Sequence, residues 1–383
     1  MKTSREIKID AYLKQHEDAK LEGFHSVVIK GEVKRLEIYR LPIDLLIFNI
    51  GNGRFASELL AEERKLKRKL DATIEADENI IRRLLLEINP AETKALKEDL
   101  IRNGQIDPGV ITFDGAVING NRRMAIFKEL YSTTQEDKYT FLNVSRLQKG
   151  ISEKDLWKIE AKLQFGRDFR LEYGPINELL KIRSGNESGL TPKQISDALL
   201  GRYKEKEVVE KLEILKLIDT YLRFIGKPSE YEIIQEQRIV EKFNSLQSSV
   251  IGPLKRGVHK KEVPRITEIG FRLIKGGKHS HWKIRKLKSI AETDESRSML
   301  YKAFDRKGKL ADSDRLVQDG FDSAEFISDS HEEKDRPEKL AGKALSALRQ
   351  IDSNHESVSK PDFQKLIKEV QGELVRLKKA GGN

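Results

Sequence analysis

The chain has 383 residues, of which 38 % are hydrophobic and 35 % charged, and none is cysteine. That length suggests two or three domains with enough apolar residues to bury cores. The missing cysteines exclude disulfides, thiolate metal sites, iron–sulfur clusters and cysteine nucleophiles. No apolar run approaches the roughly 18 residues of a membrane span, and the opening MKTSREIKID lacks an apolar signal core. A cytoplasmic protein without membrane contact is expected. The formal net charge is +10, and twelve basic against two acidic residues between Lys255 and Lys288 account for all of it. Such concentration suggests a surface for a polyanion; the alternative is a solvated lysine-rich loop or helix.

In chain order, residues 1–37 read as an N-terminal extension with a helix and a strand around Val27-Val28-Ile29. Leu41 to Ile47 starts a strand that runs into a Gly/Asn loop, Asn49 to Phe55. Residues 56–89 carry Leu59, Leu60, Leu66, Leu70, Ile74, Ile80 and Ile81 at helical spacing. Ala91–Asn103 is a second amphipathic helix, stopped by Gly104. The period then changes. Gly109–Phe113 and Ala116–Ile118 read as strands joined by an Asp114-Gly115 hairpin turn. A polar loop, Asn119–Arg123, opens a helix over Met124–Tyr131. A strand over Tyr139–Val144 and a helix over 152–165 follow. Residues 38–165 thus read as an α+β domain with a helical insertion at 56–89.

Residues 166–250 read as all helical. Thr191 is placed to cap a helix with Pro192 at its first position. That helix ends near Leu200-Gly201, and a second runs from about Lys204 to Tyr221, the pattern of a helix-turn-helix. The basic region spans 251–310. Between 312 and 338 ten Asp/Glu face three Lys/Arg, which with Ser, Gly and Pro suggests that 311–338 is an acidic linker. Residues 339–383 hold two amphipathic helices that could pack on the body or on a partner.

The stretch Leu100–Leu130, LIRNGQIDPGVITFDGAVINGNRRMAIFKEL, closely resembles the N-terminal domain of ParB-like proteins, the ParB/sulfiredoxin fold. Leu41-Pro42-Ile43-Asp44 and Asn52-Gly53-Arg54 match the upstream strand and Arg-bearing loop. The likeness runs over about 38–225, into the helix-turn-helix region, followed by a helical C-terminal region. It implies a nucleoside triphosphate (CTP or ATP) with Mg²⁺ in the N-terminal domain, DNA as ligand, a homodimer, and a partner ATPase or other protein. Gly104, Gln105 and Pro108 would then lie on the nucleotide side, with Gly120, Asn121, Arg122 and Arg123 on the phosphates beside Arg54 and Gln164. The residues make sense on their own terms. A glycine lets the backbone approach, helix-start amides donate to anionic oxygen, and guanidinium groups add bidentate contacts. The alternative is an arginine pair that caps acidic helices of the same domain.

The family's third box is Glu-Asn-x-Gln-Arg, whose Glu and Asn support metal and triphosphate. Here Gln164 aligns, Glu160 stands one residue further upstream, Lys162 replaces the Asn, and Arg167 is displaced. Glu160 is the candidate metal ligand. Sulfiredoxin chemistry is excluded because Asn121 stands where that branch has cysteine. A kinase-like branch would need an acidic base beside the box, such as Glu58 or Asp114.

Three functions compete. The first is a nucleotide-dependent DNA-binding protein of an accessory, plasmid, mobile-element or phage-defence kind. The second is a nuclease of the same family, with Glu160 and Asp114 as catalytic carboxylates and Asp107 a further candidate, the three scattered in sequence and dependent on folding to gather them. The third is a non-enzymatic partner protein with a vestigial pocket. The second helix of the helix-turn-helix carries Glu205, Glu207, Glu210 and Glu213, which phosphates would repel. The better nucleic-acid contacts are Lys275, Lys278, Trp282, Lys283, Arg285, Lys286 and Lys288. Trp282 either stacks on a base or anchors a core beneath a basic helix. His279 and His281 alone are too few for a metal site.

Overall fold

Alternating burial along Lys20–Ile29 brings His25, Val27 and Ile29 to one face of a strand, and a sheet is built out from that strand. In the computed structural model the described residues are 4–51, 53–165, 174–277, 279–304, 308–310, 313–334, 336–353 and 355–380. Helix α1 (Ser4–Gln15) precedes β1 (Lys20–Ile29) and β2 (Glu32–Pro42), followed by the short β3 (Ile47–Phe48). Then come α2 (Ala56–Leu66), α3 (Glu75–Glu87), α4 (Pro90–Asn103), β4 (Gly109–Ile111), β5 (Ala116–Asn119), α5 (Asn121–Thr134), β6 (Phe141–Arg146) and α6 (Glu153–Phe165).

The six strands lie in the order β1-β2-β6-β4-β5-β3. β6 is parallel to β4 and β5 to β3, and the other neighbours are antiparallel. Lys30 and Gly31 both have positive φ, 52° and 87°, which suits a tight hairpin between β1 and β2. The boundary expected at residue 37 therefore falls inside β2. The 1–37 segment supplies an edge of the sheet instead of preceding it. The expected hairpin of β4 and β5 is present, as are the helices at 90–103 and 153–165. The 56–89 stretch is two helices, α2 and α3.

Alternation along each strand sends side chains to two separate cores. Ile111 and Val117 join Leu41, Phe48, Ile81, Leu85, Met124 and Ile126 on the face covered by α3, α4 and α5. Val110 and Ile118 join Val27, Ile29, Leu36, Leu147 and Ile159 on the opposite face, under α6. The sheet is thus a filled layer between helices.

Beyond it the described chain is helical: α7 (Pro175–Glu187), α8 (Pro192–Ala198), α9 (Glu205–Phe224), α10 (Tyr231–Glu236) and α11 (Val240–Ser245). A π-helical stretch (Leu246–Ile251) leads to α12 (Gly252–Arg256), α13 (Val263–Lys275), α14 (His281–Arg285) and α15 (Leu287–Glu292). Thr191 caps α8 as expected, its Oγ1 accepting from the Gln194 amide at 3.2 Å while Gln194 Oε1 accepts from the Thr191 amide at 3.0 Å. Trp157, Ile182, Ile195, Leu199 and Val208 close a third core between α6, α7, α8 and α9.

The chain forms two units, 1–288 and 289–383. The second contains α16 (Asp294–Leu300), α17 (Asp314–Lys334), α18 (Arg336–Arg349) and α19 (Pro361–Ala380). The acidic stretch expected as a linker is largely α17. Its Val317, Phe321, Ala324 and Ser328 are buried at helical spacing, while Asp314, Asp319 and Asp322 are exposed on other faces. Among the described residues no helix is long and apolar enough to cross a membrane.

Candidate functional site

Strand β5 ends at Asn119 and the chain turns into α5 through Gly120. That residue has φ 111°, a conformation that glycine adopts without strain. The turn aims the first amides of the 14-residue α5 past the sheet's end. Around them a cavity of about 110 Å³ is lined by Arg54, Gly120, Asn121, Arg122, Arg123 and Gln164, with Leu85, Ile88 and Leu96 closing one side. Six of the predicted site residues, drawn from three separate segments, therefore meet in one place.

Their roles differ. Asn121 is 2 % exposed and holds the turn: its Nδ2 donates to the Val117 carbonyl at 2.6 Å and its Oδ1 accepts from the Asn49 amide at 3.0 Å. Arg123 donates to the Asp107 carbonyl and, at 2.9 Å, to Asn119 Oδ1. Arg122 has only 10 % of its side chain exposed and reaches Glu92 at 3.5 Å. Burial, and then the neighbouring Arg54 charge, bring its guanidinium down from the ordinary value to about 10. Two like charges are thus held together in a partly dry site, an arrangement that an anion between them relieves. Arg54 sits in the turn Gly53–Phe55, whose carbonyl at Arg54 accepts from Asn177 Nδ2 of α7 at 3.0 Å.

Behind the cavity lies a buried ion pair. Lys181 Nζ of α7 stands 2.8 Å from Glu160 Oε2 of α6, the side chains being 1 % and 6 % exposed. Gln164 Nε2 donates to Glu160 Oε1 at 2.9 Å. Gly53 makes room for this lysine, because a Cβ there would lie 2.7 Å from Lys181 Cδ. The expectation of Glu160 as a metal ligand meets an ammonium group in the place of a cation. Mg²⁺ takes octahedral oxygen donors, and no cluster of three His, Cys, Asp or Glu occurs among the described residues. This donor set does not fit Mg²⁺ at Glu160.

The other predicted residues lie elsewhere. Gly104 and Gln105 line a different cavity, of about 350 Å³, with Arg40, Phe127, Tyr139 and Phe141. Gln105 there mimics a strand partner, bonding the Asn143 carbonyl at 2.7 Å and the Asn143 amide at 2.8 Å. Pro108 is partly buried just before β4 and is not among the residues lining either cavity. Asp114 occupies the β4–β5 turn, at the end of β5 away from Gly120, where its carbonyl accepts from Arg5 Nε at 2.8 Å. The two expected catalytic carboxylates, Asp114 and Glu160, are therefore not brought together. Glu58 is engaged by Ser57 at 2.8 Å and Asn177 at 3.1 Å. Asn52 and Arg167 lie outside the described residues.

In the basic region, α13 ends at Lys275, and Lys278 lies outside the described residues. Trp282 is 64 % exposed, so it anchors no core; the buried anchor of α14 is Ile284. Lys283 is exposed beside it, and Arg285, Lys286 and Lys288 are partly buried. Helix α9 presents Glu205, Glu207 and Glu213 to solvent. Its other faces are packed, with Tyr221 against Phe243 and Phe271. Residue patterns had not pointed to Lys181 or Asn177; the one available signal was a lysine inside the apolar run Leu179-Leu180-Lys181-Ile182. No family model matches this sequence, and no curated protein matches it.

Proposed function

We propose that this chain is a ParB-like DNA-binding protein of the accessory type, whose sheet domain binds the phosphates of a nucleoside triphosphate, CTP or ATP. The observation that carries the reading is the meeting of Arg54 and Arg122 at the start of α5, behind Gly120. Phosphate oxygens bound there accept from the first amides of α5 and from the two guanidinium groups. Gln164 adds a polar edge. At about 110 Å³ the cavity suits phosphate groups, whereas a whole ligand of drug size takes about 300 Å³ or more. The base and ribose would lie outside it. Neutralisation falls to the arginines, with Lys181 holding Glu160, and we assign no step to a metal. DNA would lie on the basic segment 255–288, which carries the whole net charge. Nucleotide binding would govern the pairing of two copies or the engagement of a partner ATPase. The separation of Asp114 from Glu160 leaves the nuclease reading without a paired-carboxylate site.

The test is binding and hydrolysis of radiolabelled CTP, ATP and GTP, with and without DNA, by wild type and Arg122→Ala. The expected result is selective binding of one nucleotide, weakened roughly ten- to hundred-fold in the variant, the loss typical of a hydrogen bond to a charged group. Equal affinity in both proteins, or no binding of any nucleotide, would overturn the reading.

A further inference from the structure

Trp282 is the one large aromatic side chain of the basic segment that is mostly exposed, at 64 %. Its setting is organised. The Arg285 guanidinium carbon lies 4.3 Å from the ring centroid, and Arg285 Nε donates to Ser245 Oγ at 3.1 Å, which fixes the planar cation. The His281 ring stands 5.0 Å away, tilted by 39°. Before this group, the turn at Gly276-Gly277 is held by Lys242 Nζ, which donates to the Gly277 carbonyl at 3.3 Å. Lys275 and Lys283 are exposed on either side of Trp282 in the chain.

We infer that Trp282, backed by Arg285, is a stacking platform for an unpaired base, so that the basic segment prefers single-stranded nucleic acid to duplex. The inference rests on reading 255–288 as the nucleic-acid surface. Lysines recognise the phosphate chain of either form, because phosphate charge is common to both. The indole separates them. Bases in a duplex are already stacked and paired, so their faces are closed, whereas every base of a single strand offers an open π-face. Arg285 strengthens the platform through its cation–π contact with the indole. DNA and RNA single strands share this chemistry.

Intrinsic fluorescence tests it on the full chain, since only two tryptophans are present and Trp157 is 5 % exposed. Oligothymidylate, oligouridylate and a blunt DNA duplex of equal length are titrated without nucleotide. One or both single strands should quench the emission and bind more tightly than the duplex, and the two arms show whether the strand is DNA or RNA. In Trp282→Ala, which lacks the reporting indole and is therefore read by the anisotropy of the same three probes end-labelled with fluorescein, single-strand binding should weaken by about five- to hundred-fold and duplex binding stay nearly unchanged. Trp282→Phe, which keeps a ring, should recover most of the affinity. Unchanged single-strand affinity in Trp282→Ala overturns the platform while leaving duplex contact intact. No binding of any of the three probes overturns both the platform and the basic segment as a nucleic-acid surface. Neither result bears on nucleotide binding at Arg122.

Discussion

Only 1 % of the Lys181 side chain reaches solvent, and its partner there is Glu160 at 2.8 Å. Removing one partner of such a pair strands the other in a low-dielectric site, typically at about 3–5 kcal/mol. Lys181→Met should therefore lower the denaturant midpoint strongly, and adding Glu160→Gln should restore a good part of the loss. An unchanged midpoint in the single variant would refute the pairing. Asp77 shows a second use of charge, at the junction of α2 and α3. Both Arg68 Nη atoms donate to it at 2.6 Å and the Asp71 amide at 2.8 Å, and these contacts hold its carboxyl down from 3.8 to about 2. A carboxyl depressed in the folded state contributes fully above its unfolded value and loses that contribution as pH falls through the folded one. Stability should drop between pH 4 and pH 2 in wild type, and Asp77→Asn should flatten that part of an acid-unfolding curve. Of the residues lining the cavity, Gly120, Arg122 and Arg54 were singled out by the likeness of their segments to ParB-like boxes, with glycine and arginine chemistry supporting the choice. Lys181 was not: its role depends on Glu160, 21 positions earlier in the chain.

Elements were legible where a local signal and a local cause coincide. The Asp114-Gly115 turn, the Gly104 stop and the Thr191 cap each act within a few residues, and each is present. The hairpin of β1 and β2 was missed because its turn is Lys30-Gly31, a weaker signal than Asn-Gly or Asp-Gly. Helix α17 was misjudged as a linker because composition averages over faces, and its four buried positions vanish in that average. Helix α7 illustrates packing overriding propensity. Gly185 has no Cβ, and one placed there would lie 2.7 Å from Trp157 Cζ2. Alanine gains about 1 kcal/mol over glycine inside a helix. Overpacking a core commonly costs about 1–3 kcal/mol, and the indole here is 95 % buried by its 5 % exposure. Gly185→Ala should thus be net destabilising in thermal melts; a raised melting temperature would mean the indole moves aside freely.

At the scale of the molecule, the 56–89 stretch does more than interrupt the sheet domain. Helix α3 packs on α5, and α2 packs on α7 and α10. Ser57 N donates to Asn177 Oδ1 at 2.9 Å across 120 positions, and Arg64 is paired with Glu232. Residues 1–288 accordingly form one unit, although the sequence suggested breaks at 37, 165 and 250. A fragment of residues 1–288 should melt cooperatively, whereas 1–165 should lose cooperativity or precipitate, because Trp157 loses its cover and Glu160 and Arg64 lose their partners. Equal cooperativity in calorimetry would refute this dependence. The sequence by itself determined the local pieces: the strand–turn–strand–Gly–helix order of 109–134, the cap of α8, and the confinement of net charge to 255–288. Those follow from backbone sterics, hydrogen bonding between near neighbours and simple charge counting. Only the tertiary structure decided that Arg54, Arg122 and Gln164 share a cavity, that Gln105 and Asp114 stand outside it, and that Glu160 faces an ammonium group. The reason is that burial and pairing in this fold join positions tens to more than a hundred residues apart, which no local pattern encodes.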